Sequence, residues 1–119
     1  MTFLFHETMF RAAVPMPRLK AAKVGICGAG ALGSHLARGL ARTGVGHLRV
    51  IDRDRVEERN LSTQTWSRGD VGGPKAKLLA HTIFRAVGTQ VDGRMKELTR
   101  SNGRALLRGL DLVIDVFDN

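Results

Sequence analysis

The sequence predicts an α/β fold: a Rossmann-like, doubly wound parallel sheet of about four strands with flanking helices. Three observations predict it. Short apolar runs alternate with segments of helical periodicity, the pattern of repeated β-α units. A G-x-G-x-x-G stretch, Gly28 to Gly33, falls between the first such run and the first helical segment. A carboxylate, Asp52, closes the second run about 20 residues later.

The elements come in order along the chain. Residues 1–22 are expected to form an N-terminal arm, in which Pro15 and Pro17 argue against a long helix. The arm packs on the domain or on a second subunit, or is partly disordered. Residues 23–119 are expected to form one Rossmann-like domain. Val24–Cys27 reads as a buried parallel strand ending in glycines. Leu32, Leu36 and Leu40, with Ala37 and Ala41, recur at helical spacing and predict a helix over 31–43, ended by Gly44 and Gly46. His47–Ile51 is the second strand. Residues 53–73 form a charged, glycine-spotted connection, long enough to suggest a functional loop. Trp66 is expected to anchor it by packing. Pro74 suits the first turn of a second helix, whose buried face is Ala76, Leu79, Ala80, Ile83 and Phe84, with Gly88 as its stop. A third strand is expected over 89–95. Ser101 is the expected cap of a helix running to Arg108, and 111–117 is the fourth strand. Right-handed crossovers then place the first and last strands side by side, with a ligand at their carboxyl ends.

Composition narrows the class. The chain has 119 residues, 43% of them hydrophobic, enough for one modest core. Fourteen glycines and no tyrosine suit a turn-rich α/β chain more than a β-sandwich. No apolar run is long enough to cross a membrane and no secretory signal is evident, so a cytoplasmic protein with no membrane association is expected. The single cysteine, Cys27, cannot form an internal disulfide; it reads as a small buried residue rather than a nucleophile. The net charge of +8 points to anionic partners: nucleotide phosphates, an acidic protein or nucleic acid. Nucleic acid is disfavoured because the basic residues are scattered and no binding motif accompanies them. His6, His35, His47 and His81 lack metal-ligand spacing.

The glycine stretch carries the first chemistry. Gly28 permits the tight turn, Gly30 lets backbone approach a phosphate, and Gly33 lets the helix lie close on the strand. Amides at the helix start, those of Ala31 and Leu32 among them, face an anion together with the helix dipole. Asp52 is placed to accept hydrogen bonds from ribose hydroxyls. NAD, FAD and ATP all fit this geometry.

Four blocks resemble one family. Gly25-Ile26-Cys27-Gly28-Ala29-Gly30-Ala31-Leu32-Gly33-Ser34 is similar to the glycine loop of the ThiF/MoeB/HesA adenylyltransferases, relatives of ubiquitin-activating enzymes. The run from Asp52 to Leu61 resembles their D-x-D-x-V-x-x-x-N-L, Val71–Ala76 their V-G-x-P-K-x, and Asp115–Asn119 their D-x-x-D-N. The resemblance covers residues 23–119 and implies adenylation. The C-terminal carboxylate of a ubiquitin-like sulfur-carrier protein ending in Gly-Gly attacks the α-phosphate of ATP, in thiamine or molybdopterin biosynthesis. It implies Asp52 at the ribose, with Asp54 in the same binding set, and Asn60 near the phosphates. It implies Lys75 against the triphosphate charge and Asp118 as the Mg²⁺ ligand. Arg59 joins Lys75 and Asp118 as a catalytic candidate. The family's homodimers imply the same here.

Two departures temper this. The family's N-L-x-R-Q reads Asn60-Leu61-Ser62-Thr63-Gln64, and threonine cannot replace a guanidinium fork unless Arg59 or Arg68 substitutes. Ala31 stands for the second glycine of the usual G-G-L-G. Relatives also continue past D-N, so the chain is expected to be cut short or to pair with another chain. The alternatives are an NAD- or FAD-binding domain of an oxidoreductase and a non-catalytic remnant of the adenylyltransferase fold.

Overall fold

The structure, a computed structural model, describes residues 3–10 and 15–117. Two short helices, α1 (Phe5–Phe10) and α2 (Met16–Ala21), precede a regular run: β1 (Lys23–Cys27), α3 (Ala31–Thr43), β2 (His47–Ile51), α4 (Lys75–Val87), β3 (Val91–Arg94), α5 (Gly103–Leu106) and β4 (Leu112–Asp115). Two 3₁₀ turns, Glu58–Ser62 and Arg68–Asp70, lie between β2 and α4. The sheet has the order β3-β2-β1-β4 and every pairing is parallel. The first and last strands are therefore neighbours, as predicted. Cys27 pairs with both Ile51 and Asp115, and Ile51 with Arg94, so the carboxyl ends of the four strands are level.

One face of the sheet holds the main core. Ile26, Val50, Leu79 and Ile83 are fully buried there, with Trp66 from the long connection. Burying each large aliphatic contributes about 1.5–3 kcal/mol. Helix α3 meets this face through Gly33, Ser34, Ala37 and Ala41, all small, so it lies close to the strands. Leu32 points outward and is 63% exposed, while Leu36 and Leu40 flank the contact. Helix α4 buries Ala76, Leu79 and Ile83. Phe84, expected on that face, is exposed instead, because the Ala76–Leu79–Ile83 stripe alone fills the space over the sheet.

The opposite face is thinner. Cys27, Ile51 and Leu106 form a small cluster with Leu98 and Leu107. Beside it the sheet is polar. Arg49 pairs with Asp92 at 3.1 Å and donates to the carbonyls of Leu106 and Arg108. Helix α5 is one turn and not the helix expected to reach Arg108: the chain passes into turns at Leu107 and Gly109 takes φ +82°. Nor is Ser101 its cap. Asn102 precedes the helix, and its side chain accepts from Thr99 N–H in a turn. Strands β3 and β4 are each four residues long, shorter than expected, and each pairs along its whole length with four of the five residues of its neighbour.

The described part of the arm docks on the α3–β2 corner. Gly46 N–H donates to Leu19 O, and Leu19 packs on the main core. Gly44 adopts φ +113° with the side chains of Leu4 and Met16 beside it. The prolines do exclude a long helix, but they leave room for two six-residue ones.

Burial works against charge on Asp92, but hydrogen bonds and the charges of Arg94 and Arg49 outweigh it and hold the carboxyl below the usual range. A depressed carboxyl stabilises the fold above its unfolded pKa of about 4, and the effect is lost as pH falls through the folded value. Asp92→Asn is expected to lower stability by about 0.5–1 kcal/mol at pH 7, the pair being half-exposed. The gap between urea melts of the two proteins should begin to narrow near about pH 4 and close only below the depressed folded pKa of Asp92; a gap unchanged on that descent would refute the ionic origin.

Candidate functional site

A cleft of about 230 Å³ opens at the carboxyl edge of the sheet. Its floor is set by the turn after β1. Gly28 holds φ +113°, and its N–H donates to Ile51 O at 2.8 Å. A Cβ on Gly28 would sit 2.7 Å from Val116 O, so both backbone angle and space demand glycine. At Gly33 a Cβ would land on the Gly28 carbonyl oxygen. Helix α3 starts directly after Gly30, and the first amides of a helix have no acceptor within it.

Asp52 locks this turn to the strap of chain beyond β2. Its Oδ2 accepts from Ala29 N–H at 2.7 Å and its Oδ1 from Asp54 N–H at 2.6 Å, while its own N–H donates to Arg94 O at 3.1 Å. The chain then runs antiparallel to residues 72–75. Val56 N–H donates to Gly73 O, Gly72 N–H to Val56 O, and Lys75 N–H to Asp54 O. This ladder carries Lys75 from the head of α4 to the cleft beside Asp52 and Asp54. Lys75 is 6% exposed, and its ammonium makes no hydrogen bond or ion pair among the described residues. An ammonium that lines the cleft without a carboxylate of its own is available to an anion there.

Of the residues singled out from the sequence, Gly28, Gly30, Asp52, Asp54 and Lys75 line this one cleft. Ala31, Leu32 and Gly33 contribute the start of α3, with the Ala31 and Leu32 side chains turned to solvent. Asn60 and Arg59 are not brought in. Asn60 Oδ1 accepts from Glu57 N–H, closing a cap on the first 3₁₀ turn. Arg59 pairs with Glu57 at 2.9 Å on the surface, its side chain 80% exposed. Thr63 ends the same turn, exposed. Asp118 and Asn119 lie outside the described residues.

Sequence reasoning missed Arg53, Lys96, Glu97, Leu98, Val116 and Phe117, which complete the lining. Each lies just past the carboxyl end of β2, β3 or β4, so the rule that ligands sit at strand ends could have found them. Arg53 pairs with Glu97 at 3.0 Å and lies 3.8 Å from Asp54. Cys27 is buried beneath the turn; burial, then the nearby Asp115 charge, push its thiol pKa up, against any role as a nucleophile. Trp66 is buried in the main core with its indole N–H on Gln64, anchoring the long connection as expected. No group of three or more His, Cys, Asp or Glu side chains could hold a metal among the described residues.

Residues 7–119 match the sequence profile of the ThiF family. The chain belongs to the ThiF family. Similar proteins include the sulfur carrier protein adenylyltransferase of Thermus thermophilus, 41% identical over 86% of this chain and 38% of that protein. The sulfur carrier protein ThiS adenylyltransferase of Bacillus subtilis is 38% identical over 86% of this chain and 32% of that one. Among solved structures, E. coli tRNA N6-threonylcarbamoyladenosine dehydratase in complex with ATP superposes with a TM-score of 0.87 at 28% identity, over 98% of this chain and 49% of the other. This ThiF-family chain thus spans less than two-fifths of the length of these two curated relatives, and about half of the dehydratase.

The Gly33 contact is backbone against backbone, where no flexible side chain can yield. Gly33→Ala is expected to cost about 2–3 kcal/mol, read as a fall in thermal midpoint. A variant as stable as the parent would show that α3 can rise off the turn.

Proposed function

We propose that the cleft binds ATP. We propose further that the chain is the nucleotide-binding part of an adenylyltransferase, which activates the C-terminal carboxylate of a ubiquitin-like sulfur-carrier protein ending in Gly-Gly. The observation that carries the proposal is Lys75: a buried lysine without a partner among the described residues, held in one cleft with the glycine turn and Asp52. Apart from the helix amides, it is the group there best suited to a polyphosphate. The two curated relatives are named as adenylyltransferases, not oxidoreductases, and the dehydratase was crystallised with ATP. All three support ATP over NAD or FAD.

In this reading the triphosphate lies across the start of α3, and the ribose reaches Asp52. The carrier carboxylate attacks the α-phosphorus, the bond to the bridging oxygen breaks, and pyrophosphate leaves with the electron pair. The chain contributes position and charge rather than covalent chemistry. Lys75 neutralises charge that shifts toward the departing pyrophosphate. Magnesium fits the hard oxygen donor of Asp54 on the cleft rim, and Asp118 is assigned to the ion by resemblance alone. When bound it would screen the phosphates from one another. A homodimer in the cytoplasm, serving thiamine or molybdopterin biosynthesis, belongs to the same proposal. Among the described residues no helix is long and apolar enough to cross a membrane.

A second reading, a nucleotide-binding remnant without turnover, is favoured by Thr63, which supplies no guanidinium, and by Arg59, which is engaged with Glu57 away from the cleft. ATP–pyrophosphate exchange in the presence of a Gly-Gly-tailed carrier separates the two. Exchange supports the transferase; its absence from a folded, ATP-binding protein supports the remnant.

Lys75→Met is expected to weaken ATP binding at least tenfold in calorimetry. The same variant should melt close to the parent, since the ammonium makes no hydrogen bond or ion pair among the described residues. Unchanged ATP affinity would take Lys75 out of the site, and binding of NAD without any response to ATP would overturn the proposal.

A further inference from the structure

We propose that Arg53, steadied by Glu97, positions the base of the nucleotide; this inference rests on the ATP reading above. Asp52 is the midpoint of the cleft. On one side its carboxylate holds Ala29 N–H of the phosphate turn, and on the other its N–H meets Arg94 O at the end of β3. With phosphates at the end of β1 and ribose at the end of β2, the base falls over the end of β3. There the lining is Arg53, Lys96, Glu97 and Leu98.

Two of these make a slot suited to a flat, uncharged ring. Leu98 is half-buried on the Cys27–Ile51–Leu106 cluster and offers an apolar floor. Arg53 reaches from the end of β2 to Glu97, just past β3, at 3.0 Å and so bridges the cleft. A guanidinium is planar, weakly hydrated and stacks on aromatic faces, and the Arg53 side chain remains 65% exposed. Its charge is already answered by Glu97, with Asp54 nearby at 3.8 Å. It is therefore a poor phosphate ligand and a good stacking plane.

Calorimetry with ATP and with inorganic tripolyphosphate separates the two roles. Arg53→Ala is expected to weaken ATP binding about 5- to 10-fold and to leave tripolyphosphate within about twofold. Arg53→Lys, which keeps the charge and loses the plane, should behave like Arg53→Ala. Glu97→Gln should weaken ATP about threefold without touching tripolyphosphate. Lys75→Met is the control that weakens both. Equal losses for both ligands in Arg53→Ala, no loss for either, or rescue by lysine would overturn the stacking role. Unchanged ATP affinity in Glu97→Gln would overturn the part given to Glu97. Failure of the parent protein to bind ATP would overturn the ATP reading itself, whereas intact ATP binding that ignores Arg53 overturns this inference alone.

Discussion

The site depends on the carboxylate of Asp52 more than on any other group. It is buried, and it takes two short hydrogen bonds from backbone amides on different segments, Ala29 in the glycine turn and Asp54 in the strap beyond β2. Bonds of this kind to a charged acceptor contribute about 1.5–3 kcal/mol each. Breaking one would leave a buried charge half satisfied, so both segments are held at once. The turn cannot drift from the strap, and the strap, through its ladder to residues 72–75, cannot drift from Lys75.

That chain of restraints fixes Lys75 in the cleft. A lysine as buried as Lys75 normally finds a carboxylate, and Asp52 and Asp54 lie in the same cleft. Asp52 is occupied by amides, and Asp54 sits beside Arg53 at the rim. The ammonium is thus left for a ligand by the prior engagement of its neighbours. The Arg55–Pro74 bridge and the buried Val56 hold the strap in place.

Much of this was legible in the sequence. The helix over 31–43 and the strand His47–Ile51 have the predicted bounds, because glycines punctuate them and their apolar spacing is unambiguous. The glycine turn, Asp52 and Lys75 stand in separate sequence blocks, and backbone pairing that no spacing rule reveals joins them in space. What failed was decided by tertiary contacts. Helix α5 is one turn long, and Arg49, more than 50 residues earlier in the chain, donates to carbonyls at and past its end. The exposure of Phe84 reflects the narrow face that α4 presents to the sheet. Asn60, placed near the phosphates by resemblance, and Arg59, a catalytic candidate, stand outside the cleft lining, Asn60 accepting from Glu57 N–H and Arg59 paired with the Glu57 carboxylate. Arg53 and Glu97 escaped notice because exposed charges are common and only the sheet's topology places these two across one cleft.

The distribution of charge limits what can draw a nucleotide in. The whole chain carries +8, yet the described lining of the cleft sets Arg53, Lys75 and Lys96 against Asp52, Asp54 and Glu97. The cleft is close to neutral, so the excess positive charge lies elsewhere and acts at most on the rate of encounter, screened beyond about 8–10 Å in ordinary salt. Affinity for a polyanion must then come from directed groups: the first amides of α3, fixed by Gly28 and Gly33, and one ammonium with no carboxylate of its own. Such groups recognise phosphate geometry rather than charge in general. A near-neutral cleft with oriented donors therefore favours an anion of matching geometry over an arbitrary one.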